Sequence, residues 1–354
     1  MAAGRHGKWV STLAMASATI LLLPNALAQA PAMTDPIPAQ TARDVVQRTI
    51  QLVEAEGLYP RNQNEYASAK ARLLAALDGT GVEVDRQSLF QHVNTMLGTL
   101  DADGHSSIRP PSTGHRVQQG LASTRVQGTA SSFALVLTAH GVVLHWTPPQ
   151  SMGDLQTEAP LFLQRFHADY ATTPGADKAC ALVVDLSAQL GGNAWPPFIV
   201  MHPLFGQDNA AAWVRRDGKR TAFVNPPQLR QMEARFKGRA DNPLQRFAGA
   251  PLAVFVDQRT SSAGEMLLIA LMGEGSRTRT FGQTSYGATT ANVAHRMADG
   301  SMLALTTSRY AIGDAPVIRG GIAPEVPTRP GESARETLLH AATWAAQSSP
   351  LCRH

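Results

Sequence analysis

Leu252–Val256 is a short continuous apolar run, residues 257–261 are polar and turn-like, and an apolar helical pattern starts at Ser262. That order places a serine hydroxyl where a covered strand hands over to a helix. Free backbone N–H groups and the positive helix end at such a junction favour developing negative charge. Acyl transfer needs this at both its nucleophile and its oxyanion. The same stretch, Ser262-Ala263-Gly264-Glu265, also spells the S-x-x-E of a capping box, in which the hydroxyl only closes a helix end. Two other sites invite chemistry. Asp103-Gly104-His105-Ser106 carries one of eleven histidines on a loop, and a neutral imidazole can accept and return a proton near working pH; a surface or core histidine reads the same way. Gly191-Gly192 allows a main chain to approach a reacting carbonyl closely, or simply ends a strand in a turn.

The elements that must position these groups are legible as patterns. Three helices follow a Pro-rich leader. Thr41 is the expected N-cap of the first, with Val46, Ile50 and Val53 at helical spacing. The second is expected over residues 64–79 with Leu73, Leu74 and Leu77, and the third after Asp85 with Leu89, Val93, Leu97 and Leu100 on one stripe. Pro110-Pro111 stops further helix, leaving His105 on a loop. Phe133–Thr138 and residues 142–146 read as a hairpin, residues 161–170 as a helix, and residues 180–186 as a strand covered on both faces. Residues 263–271 continue the serine junction as a helix. Asp299-Gly300 pairs residues 302–307 with residues 292–297. Ser333 and Glu336 open a final helix with a capping box.

Composition limits the function classes. The chain has 354 residues, of which 44% are hydrophobic and 16% charged, as in a folded globular protein. The formal charge is +4; without Arg5 and Lys8 it is about +2, and no basic run or interleaved aromatic stripe calls for nucleic acid. Arg5, His6 and Lys8, the apolar residues 10–23, Pro24 and Ala26-Leu27-Ala28 have the order of a cleaved signal ending at residue 28. A periplasmic or secreted product without stable membrane insertion is expected; no cysteine follows the cut to take a lipid. Cys180 and Cys352 would then meet an oxidising compartment, where either a disulfide or a buried free thiol at Cys180 is compatible with the sequence. No HExxH, paired CxxC, EF-hand loop, GxGxxG or P-loop is present, so no metal or cofactor is expected.

Four segments in order resemble the tail-specific (C-terminal processing) serine peptidases. Thr260-Ser261-Ser262-Ala263-Gly264-Glu265 is similar to their T-x-S-A-[SG]-E nucleophile motif, and residues 183–193 to their DLRxNxGGN segment. Leu100 to Ser106 looks like LxDxHS, and Gly321-Ile322-Ala323-Pro324-Glu325 like GIxPD. The resemblance implies an α/β fold with a crotonase-like βαβ core and a small helical N-terminal unit. It divides the chain into a signal (1–28), the helical unit (29–115), a catalytic core (116–330) and a C-terminal helix and tail (331–354). It also implies a peptide or protein substrate, with oligomeric state undetermined.

Within that family the Ser–Lys dyad is unavailable here: the lysine position holds Ala288, and no lysine follows Lys237. Little room is left for a PDZ module between His105 and Asp185. The resemblance is therefore to the tricorn-like branch, which makes Ser262 the nucleophile and His105 the general base. Backbone N–H groups of Ala263 and of Gly191 and Gly192 would hold the oxyanion. Asp314, the only acid in the late segment where this branch places a carboxylate, is the candidate to orient His105, with Glu265 as the other. Ser187 stands where the family usually has arginine. A ligand- or peptide-binding protein on the same scaffold, or an esterase, would carry the same residues without peptidase activity.

Overall fold

A computed structural model describes residues 35–58, 60–78, 81–100, 105–111, 132–236 and 241–353. The expected signal segment and residues 101–104, part of the histidine motif, lie outside these residues. Strand β1 (Pro36–Pro38) leads directly into helix α1 (Ala39–Glu56). The observed N-cap, Pro38, thus lies three residues before the expected cap at Thr41: Pro38 holds φ at −54° and the chain turns into the helix from there. Helix α2 (Gln63–Ala75) is capped by the Asn62 side chain. Leu73 and Leu77 are buried as the pattern predicts, but Leu74 faces outward. Strand β2 (Glu83–Asp85) pairs antiparallel with β1. Asp85 then accepts the Ser88 N–H at 2.8 Å to cap helix α3 (Arg86–Leu97), whose Leu89, Val93 and Leu97 are buried together with Leu100. Strand β3 (Ser107–Arg109) follows the histidine.

The main sheet comes next. Strands β4 (Phe133–Thr138) and β5 (Gly141–Trp146) form the expected hairpin, followed by helix α4 (Leu155–Ala171). Capped by Asp154, α4 begins six residues before its predicted start at residue 161, and Pro160 lies within it. Strand β6 (Ala181–Asp185) and helix α5 (Trp195–Val200) precede strands β7 (Ala211–Arg215) and β8 (Arg220–Ala222) and helix α6 (Pro226–Arg235). Strand β9 (Leu252–Val256), helix α7 (Ala263–Met272) and strand β10 (Thr278–Gly282) carry the serine junction. Strands β11 (Thr290–Arg296), β12 (Met302–Ile312) and β13 (Val326–Pro327) and helix α8 (Ala334–Ser348) complete the chain.

The sheet runs β13-β10-β9-β6-β5-β4, parallel throughout except at β4. Every residue of β6 and β9 is buried, which explains their unbroken apolar sequences. One face packs on α4, α5 and α7 through Phe162, Phe166, Phe198 and Leu267. The other packs on α8 through Ala341, Ala342, Ala345 and Ala346, small residues that let the helix lie close. The protein is therefore a mixed α/β structure.

A second sheet, β11-β12-β7-β8 with β3 alongside β12, is antiparallel. Strand β12 reaches Ile312 and so outlasts the residues 302–307 expected from sequence. The helices α1–α3 do not have a core of their own. Their buried residues join Ile108, Met297, Leu303 and Leu305 from β3 and the β11–β12 hairpin. The boundary drawn at residue 115 therefore runs through one shared core. Cys180 and Cys352 are disulfide-bonded, tying the C-terminal turn to the start of β6. Among the described residues no helix is long and apolar enough to cross a membrane.

Candidate active site

Ser262 is the only non-glycine residue with positive φ among the described residues, at φ 51° and ψ −104°. An L-residue held there costs about 1–3 kcal/mol, and such strain gathers where a side chain must be presented. Several contacts enforce it. The Thr260 hydroxyl donates to the Leu186 carbonyl at 3.1 Å and accepts the Asp257 N–H at 3.1 Å. The Ser261 N–H donates to the Gln189 carbonyl at 2.9 Å. Gly264 is needed because a Cβ there would lie 2.5 Å from that same carbonyl. The turn after β9 is thereby locked onto the loop after β6.

Glu265 is fully buried, and its carboxylate is committed to holding this turn. One oxygen accepts the Ser262 N–H at 2.9 Å; the other accepts the Ser285 hydroxyl at 2.6 Å and the Gly287 N–H at 2.7 Å. Glu265 is therefore the brace between Ser262 and the segment following β10, and it does not orient a histidine. Because the Ser262 N–H is consumed, the N–H left at the helix start for an incoming oxygen is that of Ala263.

Ser262 Oγ lies 3.4 Å from His105 Nε2, across 157 residues of sequence. The histidine is brought there by β3, whose Ser107, Ile108 and Arg109 pair with Ala304, Leu303 and Met302 of β12. Two side chains fix the approach. Ser106 Oγ accepts the Thr306 N–H at 2.9 Å, and Asn94 on α3 accepts the Ile108 N–H at 2.8 Å while donating to its carbonyl at 3.3 Å. The helical unit thus reaches the site through Asn94.

His105 Nδ1 is 2.9 Å from Thr290 Oγ1, at the start of β11. This corrects the expectation for Asp314, which is exposed in the turn after β12 and makes no contact with the ring. Thr290 is buried and held because Thr290 and Arg309 pair across β11 and β12. No sequence spacing singles it out; the position lies just past Ala288, which occupies the lysine position of the Ser–Lys dyad. A hydroxyl can accept Nδ1–H and leave the Nε2 lone pair facing the serine, the tautomer a general base requires. It adds no negative charge, however. Burial lowers the His105 pKa from its ordinary 6.5, and the nearby Arg109 charge lowers it further.

Gly191 and Gly192 both adopt positive φ, 115° and 102°. A Cβ on Gly191 would lie 3.5 Å from Ser262 Cβ, so this glycine leaves open the space beside the nucleophile. A Cβ on Gly192 would collide with the Ser151 carbonyl instead. Among the described residues, the N–H groups of Gly191, Gly192 and Ala263 have no protein acceptor. Free donors at the helix start and in the adjoining glycine turn are what an oxyanion site requires. Ser187, in place of the family's arginine, donates its N–H to Asp185 Oδ1 at 2.9 Å, and His145 Nε2 holds Oδ2 at 2.9 Å. The support at this carboxylate comes from a neighbouring strand. Among the described residues no cluster of three or more metal-ligating side chains occurs.

A partly buried serine on a strained strand-to-helix turn, within reach of an imidazole and beside free backbone N–H groups, has the arrangement that acyl transfer requires. Residues 160–328, which include Ser262, the glycine pair and Gly321–Glu325 but not His105, match the model of Peptidase family S41, so three of the four resembling segments fall within the family match. A lipoprotein from Streptococcus agalactiae has a similar structure, with a TM-score of 0.68 and 18% identity over 93% of this chain and 99% of that one. The photosystem II D1 C-terminal processing protease is similar with a TM-score of 0.52 and 13% identity over 86% and 97% of the two chains. At such identities these likenesses show the fold. No curated protein sequence matches the chain. The family match supports a peptidase, a hydrolase acting on peptides.

Proposed function

We propose that this protein is a secreted serine peptidase that cleaves peptide bonds through an acyl-enzyme on Ser262. The observation that carries the reading is the 3.4 Å approach of Ser262 Oγ to His105 Nε2. His105 takes the hydroxyl proton as Ser262 attacks the carbonyl carbon, and the carbonyl oxygen gains negative charge facing Ala263 and the glycine pair. The C–N bond then breaks as His105 returns the proton to the leaving amine. Water, deprotonated by the same ring, hydrolyses the ester and frees Ser262. Thr290 keeps the ring in the working tautomer. Residues 1–28 direct the chain to the periplasm or exterior and are removed; N-terminal sequencing of the exported product should begin at Gln29.

A second reading keeps the scaffold and drops the chemistry. It is favoured by the neutral hydroxyl on Nδ1, since among the described residues no carboxylate meets the ring to stabilise the imidazolium. A fluorophosphonate probe separates the two. Labelling of the wild type that disappears in both Ser262→Ala and His105→Ala supports the peptidase. A folded wild type that takes no label leaves a ligand-holding protein.

A further inference from the structure

We propose that Gln150 is a positioning residue for the oxyanion donors of Gly191 and Gly192. The inference rests on the hydrolase reading of Ser262 and assigns a role to a side chain outside the reacting groups.

Two adjacent glycines are a poor way to hold a donor still. Without Cβ atoms the peptide between them can rotate between orientations at little cost, turning its N–H away from the site. Here that peptide is fastened from behind. Gln150 is buried, and its Nε2 donates to the Gly191 carbonyl at 2.8 Å. A carbonyl demands a donor, so the amide's orientation is fixed by its partner. In a trans peptide the carbonyl and the following N–H point in opposite directions. A bond on Gly191 O therefore sets the direction of the Gly192 N–H, and it polarises that N–H as a chain of hydrogen bonds does. It also sets the Gly191 backbone whose open side faces Ser262.

The fastening belongs to a seam between residues 148–153 and the loop after β6. Gln189 Nε2 donates to the Pro148 carbonyl. The Asn193 N–H donates to the Ser151 carbonyl at 2.8 Å, and Asn193 Nδ2 to the Gly153 carbonyl at 3.0 Å. Each of these bonds flanks the glycine pair; only Gln150 grips the peptide within it. Among the described residues Gln150 Oε1 has no partner. The side chain therefore supplies a donor to one carbonyl and little else, which separates its role from that of a general structural cross-link.

The test is the inactivation kinetics of purified wild type, Gln150→Met and Gln150→Glu with a fluorophosphonate, whose phosphoryl oxygen must enter the same donors. Met preserves length without a donor; an ionised Glu preserves shape and cannot donate. The expected result is a maximal inactivation rate lowered about 10- to 100-fold, less than or equal to deletion of an oxyanion donor, with the half-saturating probe concentration and melting midpoint unchanged. If one variant does not fold, the other carries the measurement. Wild-type rates in a folded variant overturn the positioning role and leave the hydrolase reading intact. Rates that fall only in step with a lowered melting midpoint also overturn it, since a structural contact would behave so. A wild type without label at Ser262 overturns the hydrolase reading and the positioning role together.

Discussion

His105 must be neutral to accept the Ser262 proton, and both influences on it push the same way: burial first, then the Arg109 charge, lower its pKa below 6.5. Protonation of the ring therefore needs a lower pH than for a free imidazole. The acid limb of fluorophosphonate labelling should have its midpoint below about 6.5, and Arg109→Ala should move it upward. Thr290 gives the complementary test. Thr290→Val removes the hydroxyl that meets Nδ1 at 2.9 Å and should slow labelling about tenfold or more, the cost of an unpaired buried polar group. Thr290→Asp places a carboxylate beside the ring, which favours the imidazolium. Its acid limb should shift above that of the wild type; an unchanged limb would show that Thr290 does not face the ring in solution.

At the scale of elements, the site is a joint between two loops and a helix start. The turn before α7 and the loop after β6 touch through Gly264, whose missing side chain admits the Gln189 carbonyl. Gly264→Ala should cost about 1–3 kcal/mol by overpacking, and it should slow Ser262 labelling because Gln189 lies two residues before Gly191. Thermal melting and labelling rate, measured together, check this; loss of neither would mean the two loops are not so closely joined. The segment was partly readable in advance. Strand β9 and helix α7 were evident from unbroken apolar runs, since burial on both faces leaves no alternation to misread. Strands β7 and β8 carry no comparable signal in the sequence. Both are short, mixed in composition and partly exposed, and only pairing, of β7 with β12 and of β8 with β7, makes them strands.

At the scale of the molecule, one covalent link and one shared core hold distant parts together. The disulfide between Cys180 and Cys352 spans 172 residues. On chain-entropy grounds, Cys180→Ser with Cys352→Ser should lower stability by about 3–5 kcal/mol, read as a lower denaturation midpoint than wild type under oxidising conditions and little difference under reducing ones. A similar midpoint in oxidised wild type and double variant would show that the link adds nothing. Helices α1–α3 share their apolar core with β12, so truncating them should unfold or inactivate the protein and not release an independent catalytic core.

The local chemistry was settled along the chain: a hydroxyl at a strand-to-helix junction, two glycines after a buried strand, a histidine on a loop, and no lysine to pair with the serine. Those features follow from neighbours within a few residues, where periodicity, capping and turn preferences act. Which groups meet was a matter of packing. Asp314 lies closer in sequence to the expected motif than Thr290 does, yet the pairing of Thr290 with Arg309 puts the threonine against the ring and the end of β12 carries the acid into solvent. Glu265 could be read as an orienting acid, but three donors claim its carboxylate. Contacts across more than a hundred residues depend on sheet order and register, and a one-dimensional pattern records neither.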